Sequence, residues 1–405
     1  MSFQISNSQD THSKIFILSE KTEWLRDFRK RAYEKLLNSE FPNSKMEVWR
    51  KFPFENFHPS DFAFFHDLVN IESKEEGVIL NTFSNTTGEK SNTLKKILEE
   101  ILLQSSGDFF KMFNLAFFSS AYYLEIEGKE ISQPIMLRYS LSKDSNSIFP
   151  LTVVNANTYS NTKIVEDIST KHEKSQIFIN SFTYILQKDS SNVTYIATEN
   201  FHSTAIHFRN IYAKIGKDSN FTNFYFNKGG FKGKTVIESD INGSGSFVET
   251  LGANALTGNE FLDTDIRINH NANNTSSNLL VKIVTKDKSH HVFTGNLNIP
   301  KSSAKAIATQ MNKNLILHRT SRAESIPKLE VFAHDVKCSH GATVGEIQEE
   351  ELFYLLSRGL KEDEARSLIV EGFLSEVLDR LPIESEKESM KNYIHEKLFG
   401  NDKEK

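Results

Sequence analysis

The stretch NANNTSSNLLVKIV, Asn271 to Val284, sets a polar corner directly against a run with strand chemistry. Asn271-Ala272-Asn273-Asn274 is rich in a residue type that tolerates the left-handed backbone of a tight corner. Leu279-Leu280-Val281-Lys282-Ile283-Val284 is aliphatic and β-branched. The same texture recurs in Gln176-Ile177-Phe178-Ile179, Val193-Thr194-Tyr195-Ile196, Ala205-Ile206-His207-Phe208, Phe224-Tyr225-Phe226 and Thr235-Val236-Ile237. Each run has strand-like composition with a period of two, and each is cut off by Asn, Ser, Gly or Asp. A strand about every ten residues from Tyr122 to Pro300 predicts a sandwich, a barrel, a jelly roll or a β-helix. Asparagine corners at Asn242-Gly243, Asn254, Asn269 and 271–274 favour the solenoid, although no fixed repeat length stands out.

Helical patterns lie on either side of this tract. Trp24, Leu25, Phe28, Ala32, Tyr33, Leu36 and Leu37 form a one-sided stripe over Lys21 to Leu37, which predicts an amphipathic helix. Phe41-Pro42-Asn43 breaks it, an aromatic-rich tract runs from Val48 to Phe65, and helical patterns return near Asn92 to Leu103 and Phe109 to Ala121. Beyond Pro300 helices are expected at Ala304 to Leu317, Glu346 to Leu356 and Glu362 to Leu381, with Arg358-Gly359 at the join of the last two. A final charged helix, Ser389 to Phe399, is expected to fray into 401–405. The expected organisation is an N-terminal helical region (1–121), a β-helix core (122–335) and a C-terminal helical region (336–405).

Composition narrows the functional classes. The chain has 405 residues, 38% hydrophobic and 25% charged, with no run of about 18 apolar residues that could span a bilayer. Its net charge of -5 offers no basic field for nucleic acid or anionic lipid, so the expected partners are proteins. The first residues lack the basic and apolar stretches of a secretory signal, and one cysteine cannot form an internal disulfide; a cytoplasmic location is expected. Phenylalanine, at 32, far outnumbers proline, at 8, which fits long regular elements and few rigid linkers.

Several stretches imitate active-site motifs. Lys228-Gly229-Gly230-Phe231-Lys232-Gly233-Lys234-Thr235 resembles a phosphate-binding loop but leaves three residues between Gly229 and Gly233 where such a loop needs four. A glycine-rich β turn is the better reading. His290-His291 falls on a strand, where neighbouring side chains point to opposite faces and cannot chelate one metal together. No Cys-x-x-Cys, His-Glu-x-x-His or Gly-x-Ser-x-Gly occurs. Strand carboxylates at Glu238, Asp240, Asp263 and Asp265 serve most simply as solvated or corner-capping groups, and Asp240 or Asp263 would carry the alternative of a solenoid carbohydrate-active enzyme of extracellular type. That leaves KCSHGATVG, Lys337 to Gly345, with the sole cysteine, Cys338, beside His340. Thiolate and imidazole together make a nucleophile pair or two ligands of a soft metal. Two ligands fall short of the usual four, so such a site needs further histidines or carboxylates, or a partner chain. The plainer alternative has Gly341 and Gly345 in close-packed turns and Cys338 as a small buried apolar residue.

The stretch from His334 to Pro382, HDVKCSHGATVGEIQEEELFYLLSRGLKEDEARSLIVEGFLSEVLDRLP, resembles the C-terminal signature of the SufB/SufD family of iron-sulfur cluster assembly proteins. Phe293-Thr294-Gly295, Gln310-Met311-Asn312, Leu315-Ile316-Leu317, Pro327-Lys328-Leu329-Glu330, Gln133-Pro134-Ile135 and Glu47-Val48-Trp49-Arg50 follow the family as well. Met311-Asn312 stands where SufB carries a cysteine, and Ser339-His340-Gly341 where SufB has an acidic His-Glu sequence, so the resemblance is to the branch that pairs with SufB. It implies a mainly β protein, a right-handed parallel β-helix between helical ends, acting as a non-catalytic subunit in a heterodimer with SufB. It further implies docking of the ATPase SufC through the C-terminal segment, with ATP handled only by SufC and an iron-sulfur cluster held transiently at the interface with SufB. Carried over by position, His340 faces that interface as a cluster ligand or shaping group, Cys338 takes a secondary role, and Phe353, Tyr354 and Arg358 form the SufC-docking element. A third reading has the chain act in place of SufB, nucleating a cluster itself. The residues do not decide on flavin.

Overall fold

A computed structural model describes residues 16–17, 20–55, 57–62, 69–72, 76–141, 146–170 and 176–400. The end of the aromatic tract at 63–65 and the expected fraying at 401–405 lie outside them. From Pro150 onward the strands alternate between two sheets. One runs Val69–Glu72, Ile135–Ser140, Asn161–Ser169, Asn192–Phe201, Asn220–Gly229, Phe247–Leu256, Ser276–Thr285, Ile307–Ile316, Lys337–Glu346. The other runs Val78–Thr82, Ser120–Ile126, Pro150–Ala156, Ile177–Gln187, Ala205–Ile215, Lys232–Ile241, Phe261–His270, His290–Ile299, Arg322–Val331, with the short Ser147–Ile148 beside Ile177–Gln187. All pairings are parallel except Val69–Glu72 with Ile135–Ser140 and Val78–Thr82 with Ser120–Ile126. The result is a parallel β-solenoid of about eight turns.

Register explains why no repeat length is visible in the sequence. Ile206 stands beside Lys232, 26 residues on, whereas His290 stands beside Arg322, 32 residues on. Corners absorb the difference. A column of left-handed residues climbs one edge through Tyr159, Ser190, Asp218, Gly245, Asn274 and Lys305, of which only Asn274 is an asparagine. Asn254 and Asn269, expected at corners, lie instead within Phe247–Leu256 and Phe261–His270.

The strands are buried on both faces over most of their length, as in Ile177–Gln187 and Pro150–Ala156, which parallel sheets covered on both sides require. Inside the solenoid, Ile164, Ile211, Phe221, Ile266, Val281 and Phe293 belong to one continuous lumen core. Outside the second sheet, Phe178, Phe182, Phe208 and Phe261 pack against helices α1 (Glu23–Leu37), α2 (Gly88–Gln104) and α3 (Phe109–Phe117) and the aromatic segment after α1. The phenylalanine excess is concentrated there; Phe110 stacks on Phe208 with ring centroids 3.7 Å apart. Arg29 of α1 is buried in the same region, its guanidinium donating to the Phe118 carbonyl oxygen at 3.1 Å. Outside the first sheet lie α5 (Glu362–Leu378) and α6 (Glu384–Phe399), joined to the solenoid by α4 (Glu349–Ser357).

Three further sequence expectations change. Ala304 to Leu317 is not a helix but holds the strand Ile307–Ile316. Its inner face is polar, with Gln310, Asn312 and Asn314 turned toward the lumen, while Met311 and Leu315 turn outward against the C-terminal helices. That inversion spaces the apolar residues as a helix would. The helix near Phe109 stops at Phe117, and Ala121 belongs to the strand Ser120–Ile126. The solenoid also continues past 335, to Glu346, because KCSHGATVG is neither turn nor helix but the larger part of its last strand. The phosphate-loop mimic is the end of one strand and the start of the next, joined through Gly230 and Phe231, with Gly229 and Gly230 at φ +109° and +103°.

Candidate functional site

Lys337–Glu346 pairs in parallel with Ile307–Ile316, setting Cys338 beside Ala308 and His340 beside Gln310. On its other side no strand pairs with it among the described residues, and the same holds for Arg322–Val331 in the second sheet. The solenoid therefore ends in two open strand edges, each a row of backbone groups able to receive another chain. Because successive side chains alternate, Cys338 and His340 share a face. Cys338 packs against the lumen core, so that face is the inner one. Burial pushes the Cys338 thiol up, away from thiolate, and His340 is exposed. Around them the open end is apolar: Val344 is 47% exposed, Leu329 37% and Phe332 61%.

The second group of expected residues follows the last strand. Phe353 and Tyr354 on α4 are 71% and 57% exposed, and the Arg358 guanidinium lies over the Tyr354 ring at 5.2 Å. No residue of α4 is buried. A cavity of about 740 Å³ opens beside it, lined by Leu315, Ile347, Tyr354, Leu355, Ile369 and Phe373 together with Glu346, Glu350 and Glu351. The neighbouring helices are fastened: Lys282 meets Glu376 at 2.5 Å, Arg380 meets Glu249 at 2.8 Å, Lys397 meets Glu260 at 2.8 Å, and Lys286 donates to the Leu398 carbonyl oxygen at 2.7 Å. Gly359, at φ +93°, supplies the turn that separates α4 from them.

The carboxylates weighed for catalysis have internal partners. Asp263 is buried against Lys234 at 2.6 Å, with Lys234 under the Trp49 ring; burial pushes its carboxyl up to about 6 in spite of the lysine. Asp265 is held by Arg267 at 2.8 Å, and Asp240 accepts from the Tyr212 hydroxyl and from Asn269 at 2.7 Å. The adjacent histidines separate as strand geometry demands: His290 pairs with Glu324 at 3.0 Å, while His291 is buried in the lumen, where desolvation lowers it to about 3. Among the described residues no group of three or more His, Cys, Asp or Glu is placed to hold a metal ion. None of their helices is long and apolar enough to cross a membrane.

One cluster had no signal in the sequence. Inside the lumen Glu166 accepts from Thr152 at 2.5 Å, Thr183 at 2.8 Å, Tyr195 at 2.5 Å and Arg209 at 2.5 Å, all of them buried. Burying such charges costs several kcal/mol unless donors surround them, and four do here. Gly233 belongs to the same interior, since a Cβ there would lie 1.9 Å from the His207 ring.

Fold and site together define a β-solenoid that presents its candidate groups on an open strand edge and an exposed helix instead of in an enclosed cleft. The family model for the SufBD core domain of SUF system FeS cluster assembly matches residues 139–373, and the chain belongs to that family. It is an iron-sulfur cluster assembly protein of the SufD type. The iron-sulfur cluster assembly protein SufD of Escherichia coli is 33% identical over 197 residues, covering 48% of this chain and 46% of that protein. SufD of Bacillus subtilis is 26% identical over 340 residues, 82% of this chain and 77% of that protein. A SufBD family protein of Synechocystis is 26% identical over 329 residues, 79% and 72% of the two chains.

Proposed function

We propose that the chain is a non-catalytic, cytoplasmic scaffold subunit. It pairs with SufB through the open end of the solenoid, docks the ATPase SufC through α4, and contributes His340 to the assembly of a cluster at the shared interface. The observation that carries this reading is the pair of unpaired terminal edges with Cys338 and His340 on the inner face of one of them. A second strand pair added there would cover Val344, Leu329 and Phe332 and satisfy the free backbone groups. His340 and Cys338 amount to too few ligands for a cluster, and a site divided between chains removes the shortage. Cys338, half-sunk in the lumen core with its thiol pushed up, acts as packing and a secondary group. An exposed α4, with Phe353, Tyr354 and Arg358 beside a preformed apolar cavity, fits a docking element. The cluster is cargo, and ATP is met only through SufC.

Co-expression with SufB and SufC followed by size-exclusion chromatography tests the pairing. One complex containing all three chains is expected. Elution of this chain apart from both partners would overturn the reading.

A further inference from the structure

One rung beneath His340 lies Gln310, 1% exposed and on the same inner face. Its amide is held in a space that glycine creates: a Cβ at Gly295 would lie 2.5 Å from Gln310 Nε2 and 2.8 Å from its Cδ. Nε2 donates to the Gly295 carbonyl oxygen at 3.3 Å, which fixes the orientation of the amide, since the reverse would set two carbonyl oxygens together. Oε1 is then left buried without a hydrogen-bond partner. A buried acceptor with no donor is uncommon in a native interior and calls for one. Parallel strands lie about 4.8 Å apart, so side chains at register positions stack in a column, and the next in this column is the His340 imidazole.

We propose that Gln310 is a positioning residue for His340: the exposed imidazole turns about its side-chain bonds onto the amide below it, and the open Oε1 accepts the N–H of one ring nitrogen. That hydrogen bond fixes one tautomer and turns the other nitrogen, with its lone pair, out of the open end of the solenoid toward the cargo. Imidazole ligands are commonly oriented in this way by an acceptor behind them, and the tautomer is set by that second bond. Gly295 takes part indirectly by making room for the amide. The inference rests on the reading that His340 faces an interface where a cluster is assembled, but the contact itself can be measured without a cluster.

Full-length protein labelled with 15N-histidine, at a pH above the imidazole titration, reports the tautomer of His340 by NMR, its signals identified by their loss in His340→Gln. The expected wild-type spectrum shows a single tautomer with a hydrogen-bonded N–H. Gln310→Met, of similar volume without an acceptor, is expected to give a mixture of tautomers, and Gln310→Glu, which keeps an acceptor, to retain the single one. A tautomer mixture in the wild type, or no change in Gln310→Met, would overturn the proposal; the wild-type spectrum decides alone if Gln310→Met does not fold. On the complex with SufB and SufC, Gln310→Met is expected to lower cluster yield about tenfold, the scale of substitutions behind a metal ligand. Full yield in His340→Ala would defeat the cluster role of His340 and leave the tautomer result standing.

Discussion

At the scale of single residues, the lumen is where the chemistry is most constrained. His270 is buried, with Nδ1 2.8 Å from the Thr275 hydroxyl and Nε2 2.9 Å from that of Ser277, and desolvation lowers it to about 4. Its folded pKa lies below its unfolded value of about 6.5, so the unfolded chain binds the extra proton. The stability this histidine supports is present above pH ~6.5 and is lost as pH falls toward 4. Two and a half units correspond to roughly 3 kcal/mol. Urea unfolding of His270→Gln at pH 7 and pH 4.5 should show a smaller loss on acidification than the wild type; equal losses would contradict the account. Cys338 and His340 could be singled out from the sequence because the chain has a single cysteine and the motif around it is specific. Glu166, Arg209 and Gln310 could not, because their role depends on facing the lumen, and that face is decided by which strand stacks on which.

At the scale of elements, the strands and most helices were legible from composition and period, whereas their edges and one whole element were not. Ile307–Ile316 imitates a helix because its inner residues are polar and its apolar ones meet helices arriving from later in the chain. The left-handed corners at Tyr159, Ser190 and Lys305 carry no residue that announces a backbone of that kind as glycine, asparagine or aspartate would. The helices also divide by attachment. Glu260→Ala would leave Lys397, 10% exposed, without its carboxylate, and an uncompensated buried charge costs about 3 to 5 kcal/mol. Hydrogen exchange should then rise across Glu384–Phe399 while the solenoid strands keep their protection. Substitutions on α4 should behave in the opposite way. Phe353→Asp and Tyr354→Ala change side chains that are mostly exposed, so the unfolding free energy should stay within about 0.5 kcal/mol of wild type while SufC binding falls. A loss of stability without a loss of SufC binding would assign both residues to packing instead.

At the scale of the whole molecule, a solenoid is quasi-one-dimensional, each coil resting on its neighbours, so its ends differ in kind from its middle. Here helices cover the outer faces of the two sheets, and the terminal strands carry their inner residues to an open end. Replacing Val344 and Leu329, which are exposed on the inner face of the two terminal strands, by lysine places charge where a second strand pair would sit, which should abolish pairing with SufB and leave the chain itself folded. The central claim is that the cluster belongs to two chains. Anaerobic reconstitution with iron and sulfide, followed by visible absorption, compares the isolated chain, its complex with SufB and SufC, and the same complex carrying His340→Ala. Cluster absorption in the wild-type complex, its marked loss with His340→Ala, and none in the isolated chain is the predicted result. A cluster formed on the isolated chain, or full absorption without His340, would contradict it.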